Sequence, residues 1–283
     1  MIEQEFEIAS EPLFAAGDVD VVEWSFDMGW GRPLTPWLSG ILKSYSESNR
    51  LLGHGVSYSA LDASETDRQQ RWLDQLRNEL HCHRYVHLSE HFGFMGGGNF
   101  HLSAPLPVPR TPCSVAIGQQ RLTELAQVAG VPVGLENLAF AFHLQDVQEQ
   151  GAFLEDLLSA VDGFLLLDLH NLYCQSCNFN IDLLELVRSY PLQRVRELHF
   201  SGGSWGEHPQ GSGNRIRRDT HNDRVPEVLF EVLPKVLGLC PNVEFLILER
   251  LGDTLGMDSR EHDRFREDFR RLKHLVEEAA SHG

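Results

Sequence analysis

Residues 163–171 read GFLLLDLHN. An apolar run without polar alternation is what a parallel strand buried on both faces requires. Runs of the same kind recur on either side: VDVVEW (19–24), LLGHG (51–55), RYVHLSE (84–90), VPVGLE (131–136), RVRELHF (194–200), IRRD (216–219) and VEFLILE (243–249). With GFLLLD they make eight candidate strands, spaced at roughly 20 to 45 residues, the spacing of β units joined by helical crossovers.

The intervening segments carry a helical period. Leu122, Leu125, Ala126 and Ala129 follow the i, i+3, i+4, i+7 rule, as do Phe153, Leu154, Leu157, Leu158 and Val161. Val228, Leu229, Val232, Leu233 and Val236 repeat it, and a last helix turns Phe265, Phe269, Leu272 and Val276 inward. The expected fold is therefore an α/β (β/α)8 barrel of the TIM type, one domain over residues 1–283. The alternative is a doubly wound open sheet. The segment SGGSWGEHPQGSGNR (201–215) has no helical period and is expected to be a mobile cover near the barrel mouth.

The charge of −17, from 24 basic and 41 acidic side chains, excludes the basic face that nucleic acid demands. It equally disfavours an anionic membrane surface, and no run approaches the ~20 apolar residues of a membrane span. The N-terminal MIEQEFEIASEP lacks the basic-then-apolar order of a signal peptide, and five scattered cysteines form no disulfide framework. A cytoplasmic location is expected.

Barrel enzymes place their reacting groups at the C-terminal ends of the strands. Strand two ends at His54, strand three at Glu90 and His91, and strand four at Glu136 and Asn137. Strand five ends at Asp168, His170 and Asn171, strand six at His199, strand seven at Asp219 and His221, and strand eight at Glu249. On strand seven, alternation would put Asp219 and His221 on one face and Thr220 on the other, with Asp223 opening the next helix. A lone histidine or carboxylate at a strand end is usually hydrogen-bonded or a helix cap. Four carboxylates and four imidazoles crowded at one mouth would repel and desolvate one another, and bound cations resolve that conflict. The nitrogen and oxygen donors suit iron, manganese or zinc, and two or three divalent ions balance the carboxylates. CQSC (174–177) is read as incidental thiols in the loop after strand five, HCH (81–83) as a helix C-terminal cap, and MGGGN (95–99) as a flexible loop.

In this order and spacing, GHGVS (53–57), SEHFG (89–93), LPVPRT (106–111), GLENL (134–138), LLDLHN (166–171), ELHFSGG (197–203), DTH (219–221) and LER (248–250) resemble the multinuclear non-heme iron-dependent oxidases. The family is typified by the oxygenase subunit of methanobactin biosynthesis. The resemblance implies metal ligation by His54, His91, Glu136, Asn137, Asp168, His199, Asp219, His221 and Glu249. Glu136 would bridge two ions, Asn171 would be an edge ligand or a donor behind the ligands, and Glu136, Asp168 and His221 would be catalytic. It further implies two or three irons of mixed Fe2+/Fe3+ state and O2 as co-substrate. The substrate would be a ribosomal precursor peptide, modified at a cysteine or a C-terminal residue in natural-product biosynthesis, with a small leader-binding partner protein. This chain departs from many relatives at Gly203 and Ser204, where they carry a second histidine, and in EWSFDMGWG (23–31). The rival function is a zinc or manganese sugar isomerase or endonuclease-type hydrolase of the xylose-isomerase type. The acidic charge opposes the endonuclease, and Lys43, Lys235 and Lys273 all fall in predicted helices, away from any strand end.

Overall fold

A computed structural model describes residues 2–63, 67–97, 100–207 and 215–282. Its strands are β1 Val22–Trp24, β2 Leu51–Gly55, β3 Leu88–His91, β4 Phe94–Gly97, β5 Phe100–Leu106, β6 Val133–Glu136, β7 Phe164–Asp168, β8 Val195–Phe200, β9 Trp205–Glu207, β10 Arg215–Arg217 and β11 Phe245–Leu248. Seven of them form one parallel sheet in the order β1-β2-β3-β6-β7-β8-β11, nearly closed into a barrel and wrapped by helices. The expected TIM-type barrel is present, with seven strands instead of eight.

The missing member is the expected seventh strand. Arg215–Arg217 pairs antiparallel with Trp205–Glu207, forming a separate two-stranded ribbon, and β8 hydrogen-bonds directly to β11. The physical reason lies in its composition. Arg215, Ile216 and Arg217 offer too little apolar surface to be buried on both faces. Residues 208–214 of the expected cover lie outside the described residues.

Period-2 alternation divides each strand between two environments. On β7, Leu165 and Leu167 join the core shared with the helices, while Phe164, Leu166 and Asp168 take the opposite face, toward the barrel interior. Each fully buried leucine of that shell contributes about 1.5–3 kcal/mol of hydrophobic stabilisation. The parallel register then sets matching heights: His91 pairs with Glu136, Asp168 with His199, and His199 with Ile247. Residues far apart in sequence reach one level at the mouth.

Three local readings are settled here. CQSC is not in a loop. The helix Leu169–Phe179 starts directly at Asp168, whose side chain caps it, so both cysteines are helical and Cys174 is buried. MGGGN is not simply a loop either, since Met95–Gly97 belongs to the β4–β5 hairpin, while residues 98 and 99 lie outside the described residues. HCH does end a helix, Asp67–Cys82, and His81 Nδ1 lies 2.6 Å from the Arg77 carbonyl oxygen, as in a cap.

Candidate metal centre

Four overlapping groups of donor atoms gather at the C-terminal mouth: His54, His91 and Glu136; Glu136, Asp168 and His199; Asp168, His221 and Glu249; and Glu23, Glu197 and His199. Within each group the donor atoms lie within 4.8 Å of one another. Glu136, Asp168 and His199 each belong to two groups, which joins the four into one run.

The local chain geometry explains the placement. His54 sits at the end of β2 between Gly53 and Gly55, and a Cβ at Gly55 would come within 2.4 Å of Glu90 Oε2. A side chain there would have to displace the Glu90 carboxylate. Glu136 Oε2 lies 3.3 Å from His54 Nε2 and 3.2 Å from His91 Nε2. Its other oxygen accepts from Asn171 Nδ2 at 3.1 Å. Asp168 divides its work: Oδ1 accepts the Asn171 backbone N–H at 2.6 Å as the helix cap, and Oδ2 is buried without a partner.

Asp219 and His221 arrive by an irregular segment instead of a strand. His221 has φ 47°, the left-handed region, which no strand permits. Its Nε2 nevertheless lies 2.8 Å from Asp219 Oδ1, and its Nδ1 lies 3.7 Å from Glu249 Oε2. Asp219 Oδ1 is also held by His170 Nδ1 at 2.9 Å, and Arg217 Nη2 lies 3.2 Å from His170 Nε2. Thr220 turns elsewhere: its hydroxyl accepts from Ser204 N and donates to Asn222. Asp223 does not cap the next helix, Glu227–Leu239, whose N-cap position is Pro226.

Two sequence-predicted residues sit behind the donors. Asn137 spans the Asp168 main chain, donating to its carbonyl at 3.1 Å and accepting from its N–H at 2.7 Å. Asn171 donates to Glu136 and to the Asn137 carbonyl. Glu90 points away from the group and accepts from the backbone N–H groups of Tyr58 and Ser59. Sequence reasoning missed Glu23 and Glu197. A signal existed for both: Glu197 precedes His199 by two residues on one strand face, and Glu23 is the sole charge among VVEW.

The donor set fits metal ions. Among the described residues, His91 Nδ1, His199 Nδ1, Asp168 Oδ2 and Glu249 Oε2 are buried with no hydrogen-bond partner, although His199 Nδ1 and Glu249 Oε2 are 3.2 Å apart. Buried polar atoms are rarely left so unless something else satisfies them. Charge crowding points the same way. Burial, reinforced by Asp219 and Glu249, pushes Asp168 up to about 7, and burial pushes Glu136 well above the usual carboxylate range. Against the cost of burial, His199 and His221 hold Glu249 low, while Glu249 and Glu23 hold His199 high. A cation would relieve the repulsion among these acids.

A parallel barrel wrapped by helices, with clustered His, Glu and Asp donors at its mouth, defines a TIM-type barrel with a candidate metal centre. Two solved structures share this fold: L-ribulose 3-epimerase, at TM-score 0.60 and 15% identity over 99% of this chain and 92% of that one, and the IOLI protein with a bound zinc atom, at 0.57 and 11% over 99% and 94%. The particular family follows from the sequence. The model of the RiPP precursor modification enzymes MbnB/TglH/ChrH matches residues 35–260, and the chain belongs to that family. Similar proteins include the UPF0276 protein of Caulobacter vibrioides, 25% identical over 246 residues spanning 87% of this chain and 79% of that one, and one of Rhizobium meliloti, 24% identical over 78% and 69%. The family named from the sequence motifs is thereby shown, and the chain is an enzyme of that family. None of its helices, over the described residues, is long and apolar enough to cross a membrane.

Proposed function

We propose that this enzyme is a multinuclear non-heme iron oxidase that uses O2 to modify a cysteine or C-terminal residue of a ribosomal precursor peptide. The observation that carries the reading is the continuous run of donor groups joined through Glu136 and Asp168. A mononuclear sugar isomerase needs one such group; a run sharing carboxylates suits two or three neighbouring ions. The lysines give the isomerase no support, since Lys43, Lys235 and Lys273 all lie in helices.

His54, His91, Glu136, Asp168, His199, Asp219, His221 and Glu249 would hold the ions. Bound iron would supply Lewis acidity and one-electron chemistry with O2. The chain's own contribution is positional. Asn171 and Asn137 fix the Glu136 carboxylate and the Asp168 main chain, and His170 fixes Asp219. Among the described residues, seven of the eight exposed large apolar side chains follow barrel strands: Met28, Phe140, Phe142, Leu144, Trp205, Leu251 and Met257. That rim gives an extended peptide apolar purchase beside the donors, on a chain otherwise strongly acidic. A small partner that presents the leader would complete the assembly.

The test is to load the protein anaerobically with Fe2+ and supply cysteine-containing precursor peptides, under O2 and under argon. A peptide mass change that requires both iron and O2 is expected. Turnover with zinc alone, or without O2, would remove the oxidase reading.

A further inference from the structure

The fourth donor group, Glu23, Glu197 and His199, reaches into the barrel interior, which is polar there. Glu197 on β8 and His87, just before β3, are fully buried there, and the Glu23 side chain on β1 is 6% exposed. TIM-type barrel interiors are ordinarily filled by branched apolar side chains, so three ionisable residues at this depth require a reason.

The two nitrogens of His199 face different surroundings. Nδ1 lies 3.2 Å from Glu249 Oε2, on the side of the donors, and makes no hydrogen bond. Nε2 is hydrogen-bonded to Glu23 Oε2 at 3.2 Å and lies 3.6 Å from Glu197 Oε1. Glu197 is braced from below, its Oε2 lying 2.8 Å from His87 Nε2. His54 is arranged alike: Nε2 faces Glu136, while Nδ1 meets Ser89 Oγ at 2.8 Å and lies 4.0 Å from Glu23 Oε2. Both histidines thus turn one nitrogen up to the donors and the other down toward Glu23.

We propose that Glu23 is a positioning residue that accepts the Nε2 hydrogen of His199 and thereby turns Nδ1 to the metal ions, and that Glu197, 3.6 Å from the same nitrogen, supports it in this by its charge. A neutral imidazole binds metal through one nitrogen only, and the acceptor on the other nitrogen decides which one. Glu23 fixes the choice, and Glu197, braced by His87, adds negative charge beside the same nitrogen. A separate ion on Glu23, Glu197 and His199 fits less well. Glu197 Oε2 is already taken by His87, and His199 would have to give up both ring hydrogens to serve metals on two sides. The inference rests on reading the mouth as a metal centre.

The experiment uses Co2+ alone, titrated into metal-free full-length protein, with affinity and ligand-field absorption as readouts and circular dichroism as the check on folding. Glu23→Gln and Glu197→Gln should each weaken Co2+ binding about 10–100-fold and shift the absorption bands, the usual effect of losing a residue that orients a metal-bound histidine. Glu90→Gln removes an equally buried carboxylate from the other face of β3 and should leave both unchanged. The Glu23 variant keeps the test decisive even if Glu197→Gln does not fold. Unaltered affinity and bands in a folded Glu23→Gln protein would overturn the proposal, as would equal shifts in Glu90→Gln. Failure of the unmutated protein to bind Co2+ would instead overturn the metal-centre reading, and this inference with it.

Discussion

Replacing Glu136 by Gln separates a metal ligand from a structural acid. Glu136 belongs to two of the four donor groups, and Asn171 holds its second oxygen. In the metal-free protein, burial pushes its carboxyl well above the usual carboxylate range. Gln closely matches Glu in shape and keeps an acceptor oxygen for Asn171. Metal-free stability should therefore change by no more than about 0.5 kcal/mol, and that change can take either sign. The metal-loaded protein should behave differently. If losing the charge weakens binding about 100-fold, metal held at about 100 times the original Kd contributes about 0.4 instead of about 2.7 kcal/mol of stabilisation, a loss of about 2.3 kcal/mol. For a chain of this size that corresponds to roughly 5–10 °C of Tm. Anaerobic thermal unfolding of both proteins, with and without Fe2+, measures it directly. The expected result is a metal-dependent rise in Tm for the unmutated protein that nearly vanishes in Glu136→Gln. An equal rise in both would refute the reasoning that Glu136 binds metal.

Further outcomes follow from the same geometry. Asp219→Ala and His221→Ala should each lose at least part of the bound iron, whereas Thr220→Val should keep it and lose about 1 kcal/mol with the Ser204 hydrogen bond; metal analysis across the three variants decides. Asp27 accepts from Val56 N, Ser57 N, Ser57 Oγ and Trp72 Nε1, so Asp27→Ala should cost about 1–3 kcal/mol in denaturant unfolding while iron content stays constant. Replacing both Phe140 and Phe142, whose exposed rings pack at 5.1 Å, by Ala should raise KM for a peptide with no loss of iron. An unchanged KM would take the rim out of substrate binding.

The barrel was legible because its strands are buried on both faces, and GFLLLD or VEFLILE cannot hide that burial in their composition. The seventh strand was misread because IRRD is short and polar, and only three-dimensional pairing reveals that Arg215–Arg217 joins the Trp205 segment. Asp219 and His221 were grouped on the strength of strand alternation, yet a left-handed His221 in a loop brings them together. The strand-end rule picked out side chains that lie close together at the mouth, since parallel register aligns strand ends at one height. It could not reach Glu23 or Glu197, which lie inside the barrel, within β1 and β8. Nor could it show that Asn137 serves the Asp168 backbone, because a side-chain amide beside a carboxylate reads the same whether it faces an ion or a peptide group. CQSC was placed in a loop because the sequence does not mark that Asp168 ends a strand and caps a helix at once.

The most direct test of the central claim is the metal content of anaerobically purified protein, taken with its Mössbauer spectrum and its O2 uptake on adding a precursor peptide. The account predicts about two to three irons per chain, the number that balances the carboxylates of the mouth, with magnetic coupling between neighbouring ions and O2 consumed only when peptide is present. A protein that purifies with a single zinc ion, and turns over its substrate with that ion alone, would contradict it.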